Sequence, residues 1–438
     1  MPDSPACPQK LTPSWRSAWA LLGRDPFVLA MFFCLLLVGG DRVALRADTL
    51  TLRIVFPLLM IAGAVLYLQI GGRIKIDRIL CWLFFALTLA AAISIYGSYD
   101  PTKSIGYTIW VLFDFFVIVT LCYNLTRRSP PEDILYLWFL VYRIHVFLIF
   151  QELAEDILHH VATRPTVWFY ESSYLAIFMS GYFGAALYLL LREGRKYLLD
   201  FLLSVLGMLG TTAATAVIGM MLAVALNFLV ARQRAKLIGA SAGVAVSFAG
   251  ILFLFFRKTL YYQLMIGFLL TKNFSIGDIL ARSGNRYVRT MIGWSAFIHH
   301  PWTGVGIGAG STYMAVEPFP ESAMRYIQKW MYLEKGQPFC NIIVEVLGTM
   351  GIVGFIPFAA IITYAIWSMT KMARNRRLFD PSAMALFIAF FSIFLSLQLE
   401  GTFLRYYLWT PLGLALGIMA RRSTMGNVPA VDRGDELA

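Results

Sequence analysis

Charge is scarce in this chain. Asp, Glu, Lys and Arg make up 14% of its 438 residues, hydrophobic residues make up 59%, and mean hydropathy is +0.68. A soluble domain carries about a quarter charged residues, so this scarcity excludes an ordinary soluble protein and implies a polytopic membrane protein. Metal and nucleotide signatures are also missing. The sequence has no Walker A motif, no HExxH, no CxxC and no DxD-type acid pair. The chemistry is therefore expected to need neither metal nor cofactor. Of five cysteines, Cys34, Cys81 and Cys122 fall in apolar runs, Cys7 lies in the N-terminal tail, and Cys340 borders a polar stretch. None has metal-site or disulfide spacing, so neither is expected. The first 25 residues are polar, contain Pro2, Pro5, Pro8 and Pro13, and lack a small-residue cleavage site. The N-terminus is accordingly expected to be retained.

Apolar runs are plentiful. They fall near 26–40, 54–70, 79–97, 107–124, 134–151, 171–191, 198–211, 213–230, 237–256, 341–368, 382–399 and 404–420. Most are long enough to cross a hydrocarbon core of ~30 Å. The expected fold is thus all-α, with about twelve transmembrane helices. The expected order is a cytoplasmic tail over 1–25, nine spans over 26–256, a large loop over 257–340, three spans over 341–420, and a second cytoplasmic tail over 421–438.

Charge orients this layout. With the N-terminus inside, the outer connections are poor in Lys and Arg apart from Arg42, Arg46 and Arg53 in the first, and the inner ones hold Arg73, Lys75, Arg78, Arg127, Arg128, Arg192, Arg195, Lys196, Arg232, Arg234, Lys236, Lys371, Arg374, Arg376, Arg377, Arg421 and Arg422. That is the excess of Lys and Arg expected on the cytoplasmic side. It accounts for most of the formal charge of +12 without invoking nucleic acid. The large loop then lies outside. From Arg257 to Lys335 it carries nine Lys/Arg against four acids, a surplus of five. A basic outer surface suits an anionic lipid-linked substrate, and equally lipid headgroups.

Four groups of residues stand out. Arg282, Arg286, Arg289 and His300 differ by 4, 7 and 18 positions, offsets that fall on one stripe of a helix. Three guanidiniums in a row offer the bidentate geometry a pyrophosphate accepts. An ordinary solvated face explains the same pattern, and Gly284 and Gly293 weaken the helix. His300 precedes Pro301 and is expected to end that helix, as a base or as a cap. In the second group, Arg164-Pro165 leads through Phe169 to Glu171 and Ser173 at the outer edge of the sixth span. Glu171 is either a base or an N-terminal helix charge. Third, Asp114 and Arg143 lie at depths that differ by ~3 Å at 1.5 Å per residue, and are expected to form an intramembrane pair. Glu345 and Arg405 complete the set.

These residues resemble the O-antigen ligase/polymerase superfamily of bacterial inner-membrane glycosyltransferases. The likeness rests on the many spans with a large late loop, on His300-Pro301-x-x-Gly304-x-Gly306, and on Asn341 through Gly351-Ile352-Val353-Gly354. Ligases of this superfamily carry a His before that Asn, then nine residues and Gly-x-x-Gly. Here the spacing is kept, but the histidine position is Cys340. Arg164, Pro165, Phe169, Glu171 and Ser173 resemble instead the Arg-Pro-x-x-x-Phe-x-Glu-x-Ser motif of Wzy-type repeat-unit polymerases.

The resemblance implies a multi-pass protein of the bacterial inner membrane with both termini cytoplasmic. It implies a metal-independent glycosyltransferase that joins undecaprenyl-pyrophosphate-linked repeat units into O-antigen or exopolysaccharide on the periplasmic face. Arg164, Arg282, Arg286, Arg289 and Arg405 would bind pyrophosphate or glycan, and Glu171 or His300 would act as base. Implied partners are the lipid-linked glycan, inner-membrane lipid and a chain-length regulator. A ligase acting on lipid A-core is the alternative, with His300 as its base. A transporter is the third reading; the two halves share no similarity and the long loop comes late, which weighs against it.

Overall fold

The computed structural model describes residues 15–37, 44–47, 50–53, 55–159, 164–230, 239, 243, 285–316 and 339–425. They are helical apart from one short hairpin, β1 (Ala44–Ala47) paired antiparallel with β2 (Leu50–Arg53). The helices are α1 (Trp15–Arg24), α2 (Pro26–Leu36), α3 (Val55–Gln69), α4 (Arg78–Ile95), α5 (Pro101–Phe113), α6 (Thr120–Arg128), α7 (Pro131–Leu158) and α8 (Ser172–Glu193). They continue with α9 (Leu198–Gly210), α10 (Ala214–Val230), α11 (Asn285–His299), α12 (Gly310–Val316), α13 (Ile342–Arg374), α14 (Pro381–Ser396) and α15 (Tyr406–Met425).

Local sequence sets the helix starts. Asp25-Pro26, Asp100-Pro101 and Asp380-Pro381 each place a carboxylate at the N-cap and a proline just inside. The carboxylate accepts from backbone N–H groups that have no partner within the helix, and proline has no N–H to lose there. A π-helical turn, Asp114–Val119, joins α5 to α6 into one continuous rod.

The core is organised around α8. Nearly every residue from Ser172 to Leu191 is buried, as expected of a helix apolar all round. Its small residues bring neighbours close: Gly181 packs on Ile393 and Gly184 on Ser392 of α14. On another side, α9 folds back along α8 through a short 3-10 turn, bringing Met179 onto Gly207 and Tyr182 onto Asp200.

Six stretches of the described residues are long and apolar enough to cross a membrane, or seven if the bent pair Arg16–Arg24 and Pro26–Leu36 is one span. One of the six, Ser172–Gly210, comprises both arms of the α8–α9 hairpin. Two further apolar helices, Pro57–Gln69 and Thr215–Val230, are shorter. Twelve spans is therefore not the number obtained, and the expected run at 237–256 lies almost wholly outside the described residues. Of the expected large loop, 285–316 and 339–340 are described, and they contain α11 and α12.

The expected partner of Arg143 needs correction. Its guanidinium makes a two-pronged pair with Asp200 on α9, at 2.9 Å from both Nε and Nη2, and Tyr182 donates to the same carboxylate. The depth argument compared positions along helices but not the directions their side chains take. Asp114 is buried at the start of the π-turn.

Candidate functional site

Two of the sequence motifs are stitched together by backbone hydrogen bonds. The chain from His300 to Gly306 lies against the middle of α13. Val305 N–H donates to Gly348 O, Gly306 N–H to Thr349 O, and Ile352 N–H to Pro301 O, all at 2.9–3.0 Å. Such bonds require a break in α13, and it falls at Gly351, whose φ of +61° and ψ of −161° are not helical. A Cβ at Gly351 would lie 2.3 Å from the carbonyl of Trp302, and one at Gly304 would lie 2.3 Å from the carbonyl carbon of Thr349. Gly304 and Gly351 therefore serve close approach of two backbones.

Alongside this seam, α11 runs in the same direction as the first part of α13. Gly293 is tolerated within α11 because a Cβ there would meet Val344 at 2.7 Å. Arg286 and Arg289 lie in the first turns of α11, close to the start of α13. The Arg286 Nε donates to Glu400 Oε1 at 2.7 Å, and its Nη2 reaches the same oxygen. Burial works against the charge on Arg286, but Glu400 more than offsets this and raises its pKa. Arg289 is only 4% exposed and acts electrostatically on Tyr174, Cys340 and Glu345. Arg405 stacks its guanidinium 4.1 Å above the Tyr174 ring. Three arginines from two distant parts of the chain thus converge where α8 and α13 begin and α14 ends.

Position 340 belongs to this cluster. The Cys340 thiol is buried and donates to Leu399 O at 3.0 Å. Burial pushes its pKa up to about 11, outweighing the downward pull of Arg289. A neutral thiol results at physiological pH.

Glu171 sits at the N-cap of α8, half-buried, and accepts from Ser173 Oγ at 3.3 Å. Its charge is felt by both Arg286 and Tyr174. The motif around it divides between structure and site. Phe169 is fully buried against Phe178 and Tyr407, and Thr166 and Val167 donate their N–H groups to Glu152 on α7. Arg164 is exposed, and among the described residues no ion pair ties it to the cluster.

His300 is placed elsewhere. As expected, α11 ends at His299, but His300 lies eleven residues beyond Arg289, ~16 Å along the axis at 1.5 Å per residue. It meets Tyr99 at 3.4 Å and the ring of Tyr313, in a second polar patch that includes Lys103 and Ser311. Of the four residues expected on one helical stripe, Arg286 and Arg289 lie on α11, and His300 follows its last residue, away from the arginines. Arg282 lies outside the described residues.

Sequence reasoning missed Glu400, Asp200 and Tyr174. Glu400 carried a signal: it is the one acid in the long apolar region from Pro381 to Trp409, the kind of residue that marks a site in a membrane protein.

Residues 199–359 match the sequence model of a family described as O-antigen ligase. No curated protein matches the chain. The matched segment contains Arg286, Arg289, His300, Cys340, Glu345 and the break at Gly351, whereas Glu171, Glu400 and Arg405 are supplied from outside it. The apolar helices and this match together describe a multi-pass membrane protein, and the match supports its place in the O-antigen ligase/polymerase superfamily.

Proposed function

We propose that this protein polymerises undecaprenyl-pyrophosphate-linked oligosaccharide repeat units on the periplasmic face of the bacterial inner membrane. The observation that carries this reading is the convergence of Arg286, Arg289 and Arg405 beside Glu171. In the reaction, a non-reducing-end hydroxyl of one lipid-linked unit attacks the anomeric carbon of another. A new glycosidic C–O bond forms as the bond to polyprenyl pyrophosphate breaks, and the leaving group takes that electron pair. The hydroxyl proton passes to Glu171, whose carboxylate is half-buried and accepts from Ser173 Oγ. The arginines hold the charge that develops on the departing pyrophosphate. Because that leaving group is already good, the site need mainly position two glycans and stabilise the departing charge. Arg286, partly exposed, offers its remaining N–H groups to a phosphate oxygen while staying paired with Glu400.

A ligase, transferring the finished glycan to lipid A-core, is favoured by the description of the matched family. Against it stands Cys340, a neutral thiol engaged with Leu399 at the position where ligases carry histidine. His300 does not replace that base, since Tyr99 and Tyr313 hold it away from the arginines.

The test is purified protein in nanodiscs with a lipid-pyrophosphate-linked repeat unit as the only substrate. A ladder spaced by one repeat is expected. Transfer that requires added lipid A-core would establish the ligase instead, and movement of substrate without a new bond would indicate transport. Glu171→Gln and Arg289→Ala should each remove long chains at unchanged protein level, with a fall in rate of about 10²–10⁴ for a lost base.

A further inference from the structure

A buried carboxylate that the proposed chemistry does not use lies beneath the arginines. Glu345, on the first turn of α13, is 5% exposed. Its Oε2 accepts from the backbone N–H of Thr402, and the carboxylate also takes the N–H of Phe403. Those two residues belong to the segment Glu400–Arg405, which turns the chain from α14 into α15.

This turn is unusual backbone. Gly401 has φ +83° and Thr402 has φ +70°. A β-branched residue disfavours the left-handed region and stays there only when its surroundings hold it. Position 401 requires glycine, because a Cβ there would lie 2.3 Å from the Phe339 carbonyl oxygen. The carbonyl groups of the turn are held by indoles: Trp409 Nε1 donates to Phe403 O at 2.8 Å, and Trp110 Nε1 donates to Leu404 O at 2.7 Å. Of its N–H groups, those of Thr402 and Phe403 go to Glu345, and those of Glu400 and Gly401 go to Leu397 O. Arg405 leaves the end of this turn directly over the Tyr174 ring. Arg289 and Arg405 both act on Glu345 electrostatically, which places the carboxyl group beside the two arginines.

We infer that Glu345 is a positioning residue for Arg405, fixing the left-handed Gly401–Thr402 turn so that the guanidinium is preorganised to receive a phosphate group of the donor. The inference rests on the anion-site reading above and adds to it how one of the arginines is aimed. Glu345 acts through the backbone of the turn and does not touch the substrate.

The experiment measures binding of inorganic pyrophosphate to the full chain in nanodiscs, by calorimetry, for wild type, Arg405→Ala, Glu345→Gln, Glu345→Ala and the double variant Glu345→Ala/Arg405→Ala. Arg405→Ala should weaken binding by roughly ten- to a hundredfold, the worth of one charge-assisted contact. Glu345→Ala should weaken it to a similar extent, and the double variant should be no weaker than Arg405→Ala alone. Glu345→Gln, close in size and able to accept from one of the two N–H groups, should recover part of the loss. In contrast, Glu345→Ala combined with Arg286→Ala should show additive losses. Equal losses from Glu345→Ala with and without Arg405 would overturn the inference, as would wild-type affinity in a folded Glu345→Ala protein. No binding by wild type, or none lost in Arg405→Ala, would instead remove the anion-site reading itself. Thermal melting of each variant separates a failure to fold from a failure to bind.

Discussion

Arg286 and Glu400, 114 positions apart, form a two-pronged ion pair that joins α11 to the turn after α14. The carboxylate is 2% exposed while the guanidinium is about a third exposed, so the pair has one buried member and one reachable from outside. A substrate phosphate can therefore approach Arg286 but not displace Glu400 into water without cost.

Glu400→Gln should lower thermal stability by about 1–3 kcal/mol, the cost of a buried acceptor left poorly matched, discounted for the exposure of Arg286. Arg286→Ala should be at least as destabilising, because it leaves a buried carboxylate without its cation. Melting temperatures in detergent decide the matter; unchanged values for both would mean that the pair holds nothing together.

Cys340 should behave as an inert thiol. Its pKa near 11 lies above the ordinary cysteine value, so the neutral form dominates at all pH below about 10 and thiolate appears only above it. In a background with the other four cysteines replaced by alanine, labelling by a maleimide at pH 7.5 should be far slower than for a free thiol, and should rise toward pH 11. Cys340→Ser should retain polymerising activity. Fast labelling at neutral pH would contradict the burial argument, and loss of activity in the serine variant would give Cys340 a chemical role.

Gly351→Ala should be severely destabilising. Both the positive φ and the contact with Trp302 exclude a Cβ, and the combined cost is of order 3 kcal/mol or more. Gly106→Ala, where an added Cβ meets nothing within 4 Å, should cost little. Comparing folded yield and melting temperature of the two variants tests whether the seam is rigid.

Arg143→Met and Asp200→Asn should each destabilise the protein, by about 3–5 kcal/mol where one charge is left buried. The double variant should recover much of the loss. Product length in the surviving protein should be unchanged, because this network lies apart from the arginine cluster. Recovery of Arg143→Met by Asp114→Asn in place of Asp200→Asn would restore the pairing first expected from sequence.

Much of this protein was legible in its sequence because the signals were one-dimensional. The scarcity of charge and the apolar runs determined a helical membrane protein, Asp-Pro pairs set helix starts, and the order His300-Pro301 marked the end of α11. The spacing Asn341 to Gly351 and Gly354 carried the family resemblance that the match over 199–359 supports. Glu171, Arg286, Arg289 and Arg405 were singled out from residue type and position, and the structure brings these four near one another.

Partners, by contrast, were decided only in three dimensions. Arg143 chose Asp200 over Asp114 because α9 folds back on α8 and aims its carboxylate inward. Arg286 met Glu400, and Glu345 met the backbone of Thr402, across separations that no periodicity encodes. His300 and Arg289 share a helical stripe in sequence, but the rise of the helix holds them ~16 Å apart. Spacing along the chain determines which face of a helix a residue occupies; which other face it meets depends on how helices distant in sequence pack, and that is a property of the tertiary structure alone.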